Sequence, residues 1–129
     1  MKNKIIFTAS IFGALAVMAG AFGTHGLQQH GISAKDLDVW RTAVQYQFYH
    51  TFVLLLLASL FDVNNRPVTT IYYLFTFGII FFCGSLYLLS CRNLLGWDWL
   101  IFMGPVTPLG GLLFICGWFT MAWTVLKNK

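Results

Sequence analysis

Residues 5–23 read IIFTASIFGALAVMAGAFG, an apolar run without a charged side chain. A helix needs about 20 such residues to cross the roughly 30 Å of hydrocarbon in a bilayer. Further apolar stretches follow at about 45–61, 68–91 and 107–126. Lone strands would leave their backbone groups unsatisfied in lipid, and the sequence lacks the ten-residue alternation of a barrel. The pattern therefore predicts four membrane-spanning helices.

The composition of the chain favours the same class. Of the 129 residues, 58% are hydrophobic and 9% are charged, whereas soluble domains carry about 25% charged residues. Only four residues are acidic, which disfavours enzymes that rely on paired carboxylates. The eight basic residues are spread over the chain ends and loops, so we expect no nucleic-acid partner. The chain is expected to be one integral membrane domain, residues 1–129, with no enzymatic activity and no catalytic residues.

The predicted fold is an all-α membrane bundle of four transmembrane helices. The helices are expected at about 5–23, 34–61, 68–91 and 107–126. The second helix is predicted to start well before its apolar stretch, because Ser33 and Asp36 form a capping-box pattern. Its N-terminal extension is amphipathic, so we expect it at the membrane interface. Thr107, directly before Pro108, is predicted to cap the last helix.

The basic residues predict the orientation of the bundle. One side carries five of them, namely Lys2, Lys4, Arg66, Lys127 and Lys129. The other side carries three, namely Lys35, Arg41 and Arg92. Cytoplasmic loops carry the excess of Lys and Arg, so both termini are predicted to be cytoplasmic.

The first apolar run allows two interpretations. Lys2 and Lys4, followed by the run and by residues 19–21 (AGA), resemble a cleavable signal peptide. However, small residues recur along the run in steps of four and three, at Ala9, Gly13, Ala16, Gly20 and Gly23. Such a stripe lets a second helix approach closely. It favours a helix that stays packed in the protein.

Several short motifs occur in a fixed order along the chain. They are GAFGTHGL at 20–27, YQFYH at 46–50, GSLY at 84–87, TPLGG at 107–111 and GW at 117–118. In order and spacing the chain resembles the domain of unknown function 423 family, small four-helix membrane proteins of bacteria. The resemblance covers nearly the whole chain, although His30 and Cys83 depart from the commoner pattern. It implies a multi-pass protein of the bacterial cytoplasmic membrane, and it implies no biochemical activity.

Polar residues within the apolar stretches form the candidate ligand-binding site. They are His25, Tyr46, Gln47, His50 and Tyr87, with Ser85 and Thr107 at the same expected level. Because the first helix ends where the second begins, His25 and His50 are expected to share one site near the outer leaflet. Such a layer could hold a metal, a haem, a quinone head group or a small polar solute, and histidine nitrogen suits several of these ligands. In the alternative interpretation, these groups bond to each other and hold the helices together.

No cofactor or metal is predicted for this layer. No cysteine or carboxylate joins the histidines, so a zinc site would lack ligands. The haem-attachment motif Cys-x-x-Cys-His is missing from the sequence. The three cysteines match neither a zinc motif nor a disulfide framework.

Glycines within the helices are predicted helix-packing positions. They are Gly13, Gly20, Gly23, Gly84, Gly110 and Gly111. The pair Gly110-Gly111 near Pro108 also allows a broken helix of the transporter type, although close packing is the commoner role of such glycines.

Together these features predict a small non-enzymatic membrane protein, an accessory or structural subunit of a larger complex. Its expected partners are the lipid bilayer and other membrane-protein subunits or a second copy of itself. The alternative function is a small-ligand carrier or permease that uses the layer of His25 and His50.

Overall fold

The computed structural model describes residues 1–128, which form five α-helices and three short helical segments. The α-helices are α1 (Lys2–Phe22), α2 (Ala34–Leu60), α3 (Arg66–Gly78), α4 (Gly84–Leu95) and α5 (Val106–Lys127). The short segments are a π-helical turn at Gly23–Leu27, another at Ile79–Cys83 and a 3₁₀-helix at Asp98–Met103.

These segments join into continuous helices that match the four predicted spans. Within residues 1–128, four helical stretches are long and apolar enough to cross a membrane. They are Lys2–Leu27, Ala34–Leu60, Arg66–Leu95 and Asp98–Lys127. The shortest has 26 residues, or about 39 Å at 1.5 Å per residue. The predicted all-α membrane fold with four spanning helices is confirmed.

The first two helices pack as an antiparallel pair through the small-residue face of α1. Ala9 and Ala16 are fully buried there. Two side chains of α2 bond to the backbone of α1: Trp40 Nε1 donates to the Ala19 carbonyl at 2.8 Å, and Gln47 Nε2 donates to the Phe12 carbonyl at 2.8 Å. Because this face of α1 carries small side chains, the Trp40 and Gln47 side chains can reach the α1 backbone.

The third span packs against α5 in an antiparallel register that stays constant along its length. Gly78 lies against the Phe114 ring, and Gly117 lies against the Phe75 ring. The core between α2 and the third span is dry and apolar, since Leu54, Leu57 and Ile71 have no exposed surface. The third span is thus the centre of the bundle.

Helix α1 meets the third span at one end of the bundle only. There Lys4 Nζ donates to the Tyr73 hydroxyl at 2.9 Å, and the Thr8 and Tyr72 hydroxyls bond at 2.8 Å. Farther along, the two helices diverge and leave a groove of about 310 Å³, lined mainly by apolar side chains together with Gln47 and Tyr87.

The N-terminal extension of α2 packs on the bundle and does not lie apart from it. Ser33 Oγ accepts a hydrogen bond from the Asp36 backbone N–H at 3.1 Å, as the capping box requires. The Asp36 carboxylate does not complete the box, because it accepts a hydrogen bond from Asn93 Nδ2 at 3.1 Å. On the same side, one turn farther along α2, the Trp40 ring lies 4.5 Å from the Tyr87 ring. This side of the extension therefore covers α4.

Three expected boundaries differ from the structure. The first helix continues beyond residue 23 as the π-helical turn Gly23–Leu27, and α4 continues to Leu95. Helix α5 begins at Val106 without a side-chain cap, so the predicted cap at Thr107 is wrong. The Thr107 hydroxyl is instead hydrogen-bonded to the Ser85 hydroxyl of α4 at 2.6 Å.

Candidate functional site

Gln47 links three of the spanning helices. Its side chain is 3% exposed and sits on α2 between α1 and α4. The amide nitrogen donates to the Phe12 carbonyl at 2.8 Å, and the amide oxygen accepts from the Tyr87 hydroxyl at 2.7 Å. A buried amide in hydrocarbon needs such partners, because an unsatisfied polar group there costs several kcal/mol. The two bonds fix the lateral positions of the helices.

His50 links α2 to α5 through both of its ring nitrogens. Nδ1 lies 2.8 Å from the Tyr46 carbonyl oxygen, which can only accept, so Nδ1 carries the proton. Nε2 is then the acceptor, and it receives the Trp118 indole N–H at 3.2 Å. A ligand bond to metal or haem iron requires a free nitrogen lone pair. His50 has none in this arrangement.

Aromatic rings surround the His50 imidazole. It stacks on Phe114 with the ring centroids 3.7 Å apart and an angle of 8° between the planes. Phe75 and Trp118 lie at 5.5 and 6.0 Å. His50 is only 4% exposed, so the imidazole is part of the bundle core.

Ser85 and Thr107 form a separate polar contact between α4 and α5. Their hydroxyls bond to each other at 2.6 Å, and Ser85 Oγ also donates to the Phe82 carbonyl, 2.9 Å away. A single hydroxyl hydrogen cannot serve both partners at once, so Thr107 is the donor whenever Ser85 bonds to its own helix. This contact is self-sufficient as well.

The structure does not bring His25 to the other predicted site residues. His25 is exposed in the π-helical turn. Trp40 on α2 is level with Ala19 on α1; from that level His25 lies toward one end of the bundle and His50 toward the other. At 1.5 Å per residue their axial separation is on the order of 20 Å. The expected shared site of His25 and His50 is therefore wrong, because α1 and α2 overlap along most of their length.

Tyr46 is placed differently from Gln47 and Tyr87. It is 38% exposed and supplies its backbone carbonyl, not its hydroxyl, to His50. Its ring packs on Phe82, with the ring centroids 4.7 Å apart. The predicted layer thus separates into a Gln47–Tyr87 pair and a His50–Trp118 pair.

Hydrogen bonding of the buried polar side chains is nearly complete. Within residues 1–128, Thr76 Oγ1 is the one buried side-chain N or O atom without a hydrogen-bond partner.

The predicted packing glycines fall into three groups. A Cβ at Gly110 would overlap the backbone of Phe82, at 2.7 Å from its Cα, and a Cβ at Gly23 would lie 2.7 Å from the Trp40 ring. A Cβ at Gly13, Gly20 or Gly111 would lie at ordinary contact distances of 3.6 to 3.7 Å from its nearest neighbour. A Cβ at Gly84 would meet no heavy atom within 4 Å. Gly84 is therefore not a packing position, because it borders the groove beside α1.

Sequence reasoning assigned no structural role to three residues that complete these contacts. Trp118 supplies the donor to His50, and Gly78 and Gly117 allow the third span to approach α5. Gly117-Trp118 is visible as a small-large pair in the sequence. A helical wheel of α5 would have placed Trp118 one turn from Phe114, on the side of α5 that faces His50.

No metal centre is formed by the described part of the chain. Residues 1–128 contain no group of three or more His, Cys, Asp or Glu side chains placed to hold an ion. Of the cysteines, Cys83 is buried, Cys91 is half-buried and Cys116 is exposed.

Comparison with known proteins gives the family. The family model described as a protein of unknown function (DUF423) matches residues 19–111. The chain belongs to this family. Among its relatives, a UPF0382 membrane protein of Staphylococcus saprophyticus is 42% identical over 118 residues, and the alignment covers 92% of each chain. A UPF0382 membrane protein of Bacillus subtilis is 42% identical over 129 residues, and one of Haemophilus influenzae is 34% identical over 131. The alignments cover 98% of both chains for the former, and 100% of this chain and 98% of the relative for the latter.

The family assignment and the fold agree on the class of the protein. The relatives are named as membrane proteins, and the described residues form four spanning helices. The chain is a small integral membrane protein of the DUF423 family. No solved structure matches it at a significant level.

Proposed function

We propose that this DUF423 protein is a non-enzymatic accessory or structural subunit of a larger complex in the bacterial cytoplasmic membrane. The observation that carries the proposal is the pairing of the polar side chains inside the bundle. Gln47 bonds to α1 and α4, and His50 uses both ring nitrogens within the chain. Catalysis needs a group that can reach a reacting atom, and these groups are already committed to holding helices.

Charge and geometry support an orientation with both termini in the cytoplasm. The Lys4–Tyr73 bond places the N-terminus beside the start of α3. The antiparallel register of α3 and α5 places the end of α5 at the same end of the bundle. Among the described residues, that end carries Lys2, Lys4, Arg66 and Lys127, and the other end carries three basic residues, which is the cytoplasmic pattern.

A small-ligand carrier is the second candidate function. Its support is the groove of about 310 Å³ between α1 and the third span, whose lining includes Gln47 and Tyr87. His25 and His50 do not share this groove. A carrier would therefore depend on Gln47 and Tyr87 and not on the two histidines.

Purification from native membranes separates the two functions. The tagged chain is extracted in a mild detergent, and its co-purifying proteins are identified and quantified against a tagged control of similar size. A subunit is expected to recover defined proteins in a constant ratio. Recovery of the chain alone or as a homo-oligomer would contradict the proposal.

A matched variant sharpens this test. Gln47→Leu removes both hydrogen bonds to α1 and α4 but keeps the apolar groove. If the chain is a carrier, the variant should lose a bound small molecule that mass spectrometry finds in the parent. If it is a subunit, any effect should follow the loss of bundle stability and should be matched by Trp118→Phe, which removes an interhelical hydrogen bond outside this groove.

A further inference from the structure

Two basic residues from different helices face each other at one end of the bundle. Arg66 is the first residue of α3, and Lys127 is the last residue of α5. The contacts of Gly117 with Phe75 and of Gly78 with Phe114 set the register of these antiparallel helices. The same register brings Arg66 level with Lys127. Both residues line one groove of about 340 Å³, here called the Arg66–Lys127 groove.

The groove carries positive charge at its rim and no acidic residue in its lining. Among residues 1–128, the single ion pair joins Arg41 to Asp38 elsewhere in the fold. Asp62, in the neighbouring turn, accepts a hydrogen bond from the Asn64 backbone N–H at 3.1 Å. Both cations are exposed, so the rim offers two positive charges to a ligand at the membrane boundary.

Below the rim, the walls of the groove offer no unsatisfied polar group to a ligand. Trp123 is 67% exposed and forms one wall, with Pro67 opposite. The hydroxyls of Thr70, Thr120 and Thr124 are bonded to carbonyls of their own helices, so they do not need a polar ligand. Two cations above an apolar slot match the two parts of a phospholipid, because its phosphate lies at the interface and its chains lie in the hydrocarbon.

We propose that the Arg66–Lys127 groove is a binding site for an anionic phospholipid. The Arg66 guanidinium and the Lys127 ammonium hold the phosphate, and one acyl chain lies along Trp123 and Pro67. Arg presents a planar fork that suits phosphate oxygens, while Lys acts as a compact point charge. The site requires only the fold, so it does not depend on the proposed function.

Lipid titration of the purified chain in detergent, followed by native mass spectrometry, tests the site. The probes are phosphatidylglycerol and phosphatidylcholine with the same acyl chains. Phosphatidylglycerol is expected to bind more tightly, and Arg66→Gln or Lys127→Gln should each weaken it about fivefold. Lys35→Gln is the matched control, since Lys35 is also exposed but lies at the other end. Equal binding of the two lipids, or an equal loss with Lys35→Gln, would overturn the proposal.

A second pair of variants tests the acyl slot with both charges kept. Thr120→Trp fills the groove, whereas Ala122→Trp adds the same bulk at an exposed position outside it. Only Thr120→Trp should weaken long-chain phosphatidylglycerol. Unchanged binding in Thr120→Trp would overturn the acyl slot. Displacement of the lipid by excess inorganic phosphate alone would show that the two cations recognise phosphate and that the acyl chain adds nothing.

Discussion

At the scale of single residues, His50 shows how a polar side chain is accommodated in a membrane bundle. Its neutral form donates through Nδ1 and accepts through Nε2, so one ring satisfies the Trp118 indole and its own helix. The stacked Phe114 ring fills the space above it. The residue that looks most like a ligand in the sequence is, in the structure, a cross-link between helices.

A double-mutant cycle of His50 and Trp118 measures this cross-link. His50→Phe and Trp118→Phe should each destabilise the bundle by about 1 kcal/mol, since each removes one partner of the hydrogen bond and leaves the other partner without it. The coupling between them should be about 0.5–1.5 kcal/mol, the range of interhelical hydrogen bonds in membranes. Reversible unfolding in mixed detergent micelles gives the four free energies. A coupling near zero would mean that the two side chains do not bond.

Gly110 and Gly84 differ in how much space surrounds them, so the same substitution should have different effects at the two positions. Gly110→Ala should destabilise strongly, by about 2 kcal/mol or more, because its Cβ would overlap the Phe82 backbone, which cannot rotate away. Gly84→Ala should be tolerated or slightly stabilising, since its Cβ meets no heavy atom within 4 Å and Ala is the better helix former. Thermal unfolding of the two variants side by side tests this contrast. Similar losses in both would contradict the close approach of α5 to Phe82.

At the scale of helices, the sequence predicts what periodicity and composition encode. The four spans, the start of α2 after Ser33 and the position of the small-residue face of α1 follow from hydropathy, capping chemistry and spacing. The ends of the helices are less predictable. Thr107 has the pattern of a cap, but a tertiary hydrogen bond to Ser85 competes for its hydroxyl.

The site is harder to predict than the helices, because it depends on how far antiparallel helices overlap. The sequence places His25 and His50 near one loop, and only the register of Trp40 with Ala19 shows that they are far apart. The π-helical turn at Ile79–Cys83 has no signal in the sequence. The extra residue in this turn rotates α4 relative to α3. The rotation decides which side chains of α4 face α2 and can bond to Gln47.

The small-residue face of α1 gives the prediction at this scale. Gly13→Leu and Gly20→Leu should each destabilise the bundle by about 1–3 kcal/mol, because Thr51 and Val44 of α2 lie within 4 Å of a Cβ at these positions. Ala14→Leu is the control, since Ala14 is exposed on the same helix. Stability against a denaturing detergent is the measurement. An equal loss in Ala14→Leu would show that α1 tolerates no added bulk anywhere, and the α1–α2 packing would not explain the result.

At the scale of the whole molecule, α1 lies at the edge of the bundle. Helix α2, the third span and α5 contact one another, and His50 of α2 bonds directly to Trp118 of α5. Helix α1 packs on α2 and touches the third span near Tyr72 and Tyr73. The outer faces of α1 and α5 carry large exposed apolar side chains, such as Phe7, Phe119 and Leu126. Inside the bilayer these faces meet lipid or another subunit, and the proposed complex would use one of them.

Orientation is the last property of the whole molecule, and it decides which leaflet faces the Arg66–Lys127 groove. Five basic residues against three favour cytoplasmic termini.

Cysteine labelling tests this orientation. Cys83, Cys91 and Cys116 are first replaced by Ala, and a single cysteine is then introduced at Gln29 or Asn65. Both positions are exposed and lie at opposite ends of the bundle, Gln29 just after the first π-helical turn and Asn65 just before α3. Gln29 is preferred over Asn93 because the Asn93 side chain is bonded to Asp36. In intact spheroplasts, a membrane-impermeant maleimide should label Gln29→Cys at once, and it should label Asn65→Cys only after the membrane is opened. The reverse pattern would place the termini outside and move the proposed lipid site to the outer leaflet, without affecting the lipid titration in detergent.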